Sequence, residues 1–287
     1  MTKKISRRDS LLLAGGAALG YGLGISRLSS DKAEDIKKVS QNKQVIFLHA
    51  PKNAGVTLLN IVQANVPCDQ LGLIYPPGQW SDAISLITED EANNYDYIFG
   101  HFDFQIDQIL TRTREYVTVF RHPIARTLDM YHHFRSFALS ENAKNTHLYN
   151  IKDPHIESGI DISFLEFVQK FPQAQNEMTR RISGMRCFVD DTTCTSGMLS
   201  KAKENLEKHF TLIGILEEFD IFLQMLEAKF SWQVDRTIHS NRSKHLRKPS
   251  SLSKEEKDAV IAANQLDLEF YAFAQKLSQS HRQNYLG

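Results

Sequence analysis

From residue 44 onward, short apolar runs alternate with longer stretches whose apolar positions recur every three or four residues. Gln44–His49 (QVIFLH), Tyr95–Gly100 (YDYIFG), Tyr116–Phe120 (YVTVF) and Phe210–Ile213 are short and rich in β-forming residues. They predict buried strands. Helical spacing runs through Val56–Val62, through IARTLDMYHHFRSFAL after Pro123, and through Ile162–Phe171 and Gln173–Gly184. Gly214 leads into a further helix from Glu217, and two final helices cover residues 253–263 and 265–278. Within the helix from Glu217, Phe219, Phe222, Leu223, Leu226 and Phe230 form one apolar stripe, the mark of a core-facing helix. Strands that alternate with helices predict an α/β fold with a central, mostly parallel sheet covered on both faces. The C-terminal half is helix-rich.

The first 43 residues break this pattern. MTKKISRRDS carries four basic residues and one acid, and a charge-free run extends from Ser10 to Ser26. As a helix that run is about 25 Å long, against about 30 Å for a hydrocarbon core. A basic head, paired arginines at Arg7-Arg8 and a Gly/Ala-rich run predict a twin-arginine-like export signal or membrane anchor over residues 1–27. Residues 28–43 read as a polar linker and 44–287 as the folded domain. The expected location is therefore membrane-associated or periplasmic, with a cytoplasm-facing anchor as the alternative and residues 10–26 as the membrane contact.

Composition narrows the function. Among 287 residues, 34 basic and 34 acidic side chains cancel, and residues 1–43 hold a basic surplus of five (nine against four). The remainder is acidic by five, which argues against a nucleic-acid binder. Three cysteines without a CxxC pair encode no zinc ribbon, and no metal site is expected. Cys187 and Cys194 either close the short loop RCFVDDTTC or remain thiols.

The candidate chemistry gathers at strand ends. PKNAGVTLLNIV follows the first strand as a glycine-containing loop and helix start, an arrangement that offers backbone N–H groups to an anion. Lys52 adds a charge and Thr57 a hydroxyl. The lysine precedes the glycine, so this is not the phosphate loop of conventional NTPases. His101 follows the second strand, and Arg121-His122-Pro123 ends the third. Arg121 and Arg126 flank a helix start, a geometry suited to a phosphate clamp. The stretch HSNRSKHLRKPS (239–250) has four basic residues and no acid, and reads as a basic loop over an anion or as a solvated loop.

Taken in order, these blocks resemble sulfotransferases of the carbohydrate-modifying, membrane-associated kind. VIFLHAPKNAGVTLL is similar to that family's 5′-phosphosulfate loop, and VFRHPIARTLDMYHHF to its 3′-phosphate element. GHFDF resembles the histidine segment of uronyl 2-O-sulfotransferases, and LIGILEEFDIFLQMLEAKF and LDLEFYAFAQ resemble later helical signatures. The resemblance implies a P-loop-like three-layer fold and the co-substrate PAPS (3′-phosphoadenosine 5′-phosphosulfate), without a metal. It implies in-line transfer of a sulfuryl group to a hydroxyl of a carbohydrate-like acceptor. By the same resemblance, Lys52 contacts the bridging and sulfuryl oxygens, and Pro51, Asn53, Ala54, Gly55, Val56 and Thr57 complete the 5′ cradle. Arg121 with residue 129 holds the 3′-phosphate, Asn241 and Arg242 close over it, and His101 is the general base. Glu177 and His132 stand next in line for that role, although each lies on a helix and is expected to be exposed.

Three positions depart from the family pattern. Asn53 and Val56 replace hydroxyl residues of the loop, and Asp129 stands where the family has a serine. A carboxylate beside a phosphate repels it unless paired. Arg121, Arg126 or the basic loop around Arg242 can neutralise it, and helix spacing favours Arg126, three residues away on the same face. The alternative function is a non-catalytic anion- or nucleotide-binding protein that keeps the fold.

Overall fold

The computed structural model describes residues 43–74, 87–138, 162–185, 193–237 and 247–287. The N-terminal segment, Cys187, Asn241, Arg242 and most of the basic loop lie outside the described residues.

Among the described residues, five strands form one sheet: β1 (Lys43–Leu48), β2 (Leu71–Ile74), β3 (Tyr97–Gly100), β4 (Thr113–Phe120) and β5 (Phe210–Ile215). Their order is β2-β3-β1-β4-β5 and every pairing is parallel. The helices are α1 (Gly55–Asn65), α2 (Glu89–Asn93), α3 (Pro123–Ala138), α4 (Phe164–Lys170), α5 (Glu177–Ser183), α6 (Ser196–His209), α7 (Phe219–Phe230), α8 (Lys254–Ala263) and α9 (Gln265–Leu286).

Successive strand side chains feed opposite faces. On one face Ile46, Leu48, Ile98, Tyr116 and Phe120 pack with Met178 and Ile182 of α5, Leu206 of α6 and Phe270 of α9. On the other, Phe47, Phe99, Val117 and Val119 pack with Leu58 and Val62 of α1 and Phe222 and Leu226 of α7. Both faces are thus dry, which explains why the strands read as continuous apolar runs. A third cluster joins α3, α4 and α8 through Tyr131, Phe134, Phe167 and Val260. The result is the expected three-layer α/β architecture with a helix-rich C-terminal half.

Several boundaries differ from the sequence pattern. Phe210–Ile213 continues through Gly214 to Ile215 instead of breaking at the glycine. A Cβ at Gly214 would stand 2.5 Å from the Phe222 ring, so the missing side chain is clearance for α7, not a turn. The helix expected from Glu217 begins with a 3-10 turn, Leu216–Glu218. Helix 173–184 splits into a 3-10 turn, Pro172–Ala174, and α5. Its first turn buries Glu177, whose backbone neighbours Met178 and Thr179 donate to Asp267 of α9 at 3.0 and 2.7 Å. The last helix runs to Leu286, eight residues past its predicted end at 278. No element is predicted at β2, α2 or α6. The four residues of β2 are too short for a pattern, whereas α6 does carry one, with Met198, Leu199, Ala202 and Leu206 buried.

Candidate anion-binding and transfer site

Parallel pairing puts the C-terminal ends of β1, β3 and β4 on one edge, with β1 in the middle. That edge is where ligands of open α/β sheets bind. The loop after β1 carries Pro51–Ala54, the end of β3 delivers His101, and the end of β4 delivers Arg121.

The loop is held in an unusual backbone shape. Lys52 (φ 72°) and Ala54 (φ 60°) are both left-handed, a conformation that costs a non-glycine residue about 1–2 kcal/mol. Buried Asn53 offsets this cost by donating from Nδ2 to the Val119 carbonyl at 3.0 Å, tying the loop to β4. The residue that departs from the hydroxyl pattern is therefore a tether between the loop and the strand that ends at Arg121. Ala54 is the N-cap of α1 and supplies no side-chain cap. The helix start is left to an anion, aided by the dipole. Gly55 cannot be anything larger, because a Cβ there would lie 1.9 Å from His49 Nε2. Thr57 is buried on the first turn, and Val56 is partly exposed beside it.

Arg121 reaches back over the loop, with Nη1 3.5 Å from the Lys52 carbonyl. The same guanidinium is ion-paired with Asp129. Asp129 is thus paired with Arg121, one of its three candidate partners, and not with Arg126, which helix spacing favoured. Arg126 is fully buried and turns inward, donating to the Gln173 carbonyl at 2.8 Å and lying 3.7 Å from Glu177. It holds α3 to the next layer instead of facing the sheet edge. Asn53, Lys52 and Arg121 come together; Arg126 does not join them.

His101 sits beside His49, with ring centroids 5.0 Å apart. His49 also stacks on Phe99 at 5.8 Å. Desolvation, then the cations Arg181 and Lys52, pull the His49 pKa to about 3. Desolvation first, and then His49, Arg181, His133 and Lys52, hold His101 well below its ordinary value. His133 on α3 is lowered to about 4 by burial and by Lys52. The Lys52 ammonium is itself lowered, mainly by desolvation, while Asp129 pulls it the other way. Among the described residues, the edge therefore combines two cations, one carboxylate and three imidazoles held neutral. His49 and His133 escape sequence reasoning. His49 had a signal, because it closes the first strand directly before the loop.

Glu177 is the second correction. Expected to be exposed, it is completely buried between Arg181 and Arg126 and cannot take a proton from an acceptor. His132 is partly buried and lies next to Tyr131, with ring centroids 5.3 Å apart. Cys194 is a buried free thiol with its pKa pushed up to about 11, chiefly by desolvation. Among the described residues, no group of three or more His, Cys, Asp or Glu side chains is arranged to hold a metal ion. No helix among them is long and apolar enough to cross a membrane.

The sequence model of one family, described as galactose-3-O-sulfotransferase, matches residues 10–281. No curated protein matches the chain. Among solved structures, a mouse sulfotransferase complexed with PAP, the desulfo product of PAPS, is similar at 12% identity with a TM-score of 0.31. That likeness covers 89% of this chain and 98% of the mouse chain.

Proposed function

The chain belongs to the galactose-3-O-sulfotransferase family, and from that premise we propose that it moves a sulfuryl group from PAPS to a carbohydrate hydroxyl, with galactose the first sugar to test. One observation carries the reading: the Lys52 loop, Arg121 and His101 meet at the ends of three adjacent parallel strands.

The residues fit the donor. The uncapped start of α1 and the Lys52 ammonium suit the 5′-phosphosulfate, and Arg121 suits the 3′-phosphate. PAPS supplies the activated sulfuryl group. The acceptor oxygen bonds to sulfur as the bond from sulfur to the bridging phosphate oxygen breaks, and PAP departs. Negative charge grows on that oxygen. Lys52 and the first N–H groups of α1 stabilise it where it forms. His101 takes the hydroxyl proton as a neutral imidazole, and its lowered pKa keeps it in the base form across the physiological range. Residues 10–26 would bring the enzyme to a membrane or export route, from either side of the bilayer.

Asp129 favours a second reading, a non-catalytic anion-binding protein, because it already occupies the Arg121 guanidinium. Calorimetry with PAP, followed by transfer from PAPS to a galactose-terminated oligosaccharide, tests both. PAP binding with transfer that Lys52→Ala abolishes supports the enzyme. Binding without transfer to any sugar supports the second reading, and no binding removes PAPS as the donor.

A further inference from the structure

We infer that Arg181 is a positioning residue for His101: it fastens the segment carrying the imidazole to α5 and sets a fixed cation beside it. The inference rests on the reading of His101 as the base.

Arg181 is 2% exposed. Its Nη1 donates to the carbonyl of Phe102, the residue directly after His101, at 2.8 Å. Its Nε and Nη2 both reach Glu177 Oε1 at 2.7 Å. Glu177 in turn faces Arg126 of α3, so the chain Arg126–Glu177–Arg181–Phe102 links the helix behind Arg121 to the end of β3. A guanidinium held in two directions has little freedom, and the Phe102 carbonyl inherits that rigidity.

Holding one carbonyl does not require a charge. Buried ion pairs are often no more stable than apolar groups of the same volume. Arg181 nonetheless keeps a guanidinium fixed 2.8 Å from the carbonyl next to His101. A cation fixed there has a chemical consequence. His101 faces His49 just after β1, Lys52 from the loop, His133 from α3 and Arg181 from α5, and every one of them disfavours its protonated form. An imidazolium formed during transfer therefore sits next to a fixed positive charge and releases its proton readily, which returns the base for the next cycle.

The test uses the full chain labelled with 13C-histidine, with the His101 ring signal identified by its loss in His101→Ala. Arg181→Gln removes the charge, and the His101 titration midpoint should rise by roughly one pH unit, a tenfold change in proton affinity. Arg181→Lys keeps the charge, and the midpoint should stay within about 0.3 of wild type. PAP affinity should change by less than about twofold in both, because the loop and Arg121 are untouched. An unmoved midpoint in Arg181→Gln overturns the inference and leaves the base reading standing. If Arg181→Gln does not fold, Arg181→Lys decides alone. Lower transfer with PAP affinity kept supports the inference, and a matched loss of both overturns it. Full transfer by His101→Ala would remove the base reading itself, an outcome the titration does not mimic.

Discussion

Arg121 and Asp129, eight residues apart, are ion-paired across the start of α3, and the arginine reaches the Lys52 loop from the same position. With Arg121 holding the 3′-phosphate, as proposed, the donor has to displace the carboxylate or share its cation. Both side chains are about a quarter exposed, which limits the pair to about 1 kcal/mol or less after solvent screening. Asp129→Ser should therefore bind PAP up to about fivefold more tightly, as read by calorimetry. Equal or weaker binding by the serine variant would place the 3′-phosphate away from Arg121.

Lys52 is partly exposed, and its side chain is not part of the core. Lys52→Ala should leave the melting temperature within a few degrees of wild type while lowering transfer by about 10²–10³-fold, the usual loss for one charge-stabilising donor. A variant that melts far lower would mean that the loop's conformation, and not the ammonium, had been lost.

His101→Ala should lower kcat by about 10²–10⁴-fold with PAP affinity nearly unchanged. Initial rates at saturating PAPS, set beside calorimetry, separate the two. His133 is the next candidate if turnover survives, since it is also held neutral beside Lys52.

The fit of His49 over Gly55 is tight enough to test by stability alone. Gly55→Ala should cost about 1–3 kcal/mol through overpacking, measured by denaturant unfolding. Adding His49→Ala opens the same space, so the double variant should recover part of the loss. Strict additivity of the two changes would show that the two residues do not compete for that space.

Acid should destabilise the protein earlier than its carboxylates require. His49 has a folded pKa of about 3 against an ordinary 6.5, so between those values the unfolded chain binds the extra proton. Stability is then complete above about pH 6.5 and falls with pH by about 1.4 kcal/mol per unit from this group. His133, at about 4, adds to the slope over the upper part of that window. His49→Gln should show a shallower decline between pH 6 and 4 in melting experiments.

What could be read from the sequence follows from what is local. Each predicted strand is a continuous apolar run because both sheet faces are covered, and the loop after β1 announces itself by Pro51, Lys52 and Gly55 in order. The pairing of charges is not local. Helix spacing offers Arg126 to Asp129, yet the Gln173 carbonyl and Glu177 hold Arg126 inside and leave the carboxylate to Arg121. Glu177 looks solvated by its letter alone, and only the packing of α5 against α9 and α6 shows that it is dry. His133 shares an ordinary helix with His132, and nothing in HH tells which ring faces Lys52.

All seven residues of α5 are buried, although three of them are Glu177, Arg180 and Arg181. Such a helix gains nothing by docking one side chain at a time, since each charge left without its partner in the dry interior would cost several kcal/mol. It has to enter with Phe102, Asp267 and Arg126 already in place, and to leave by rehydrating all of its charges together. The amide protons of α5 should accordingly exchange with solvent only when the whole domain opens, which makes this short charged helix a reporter of global unfolding.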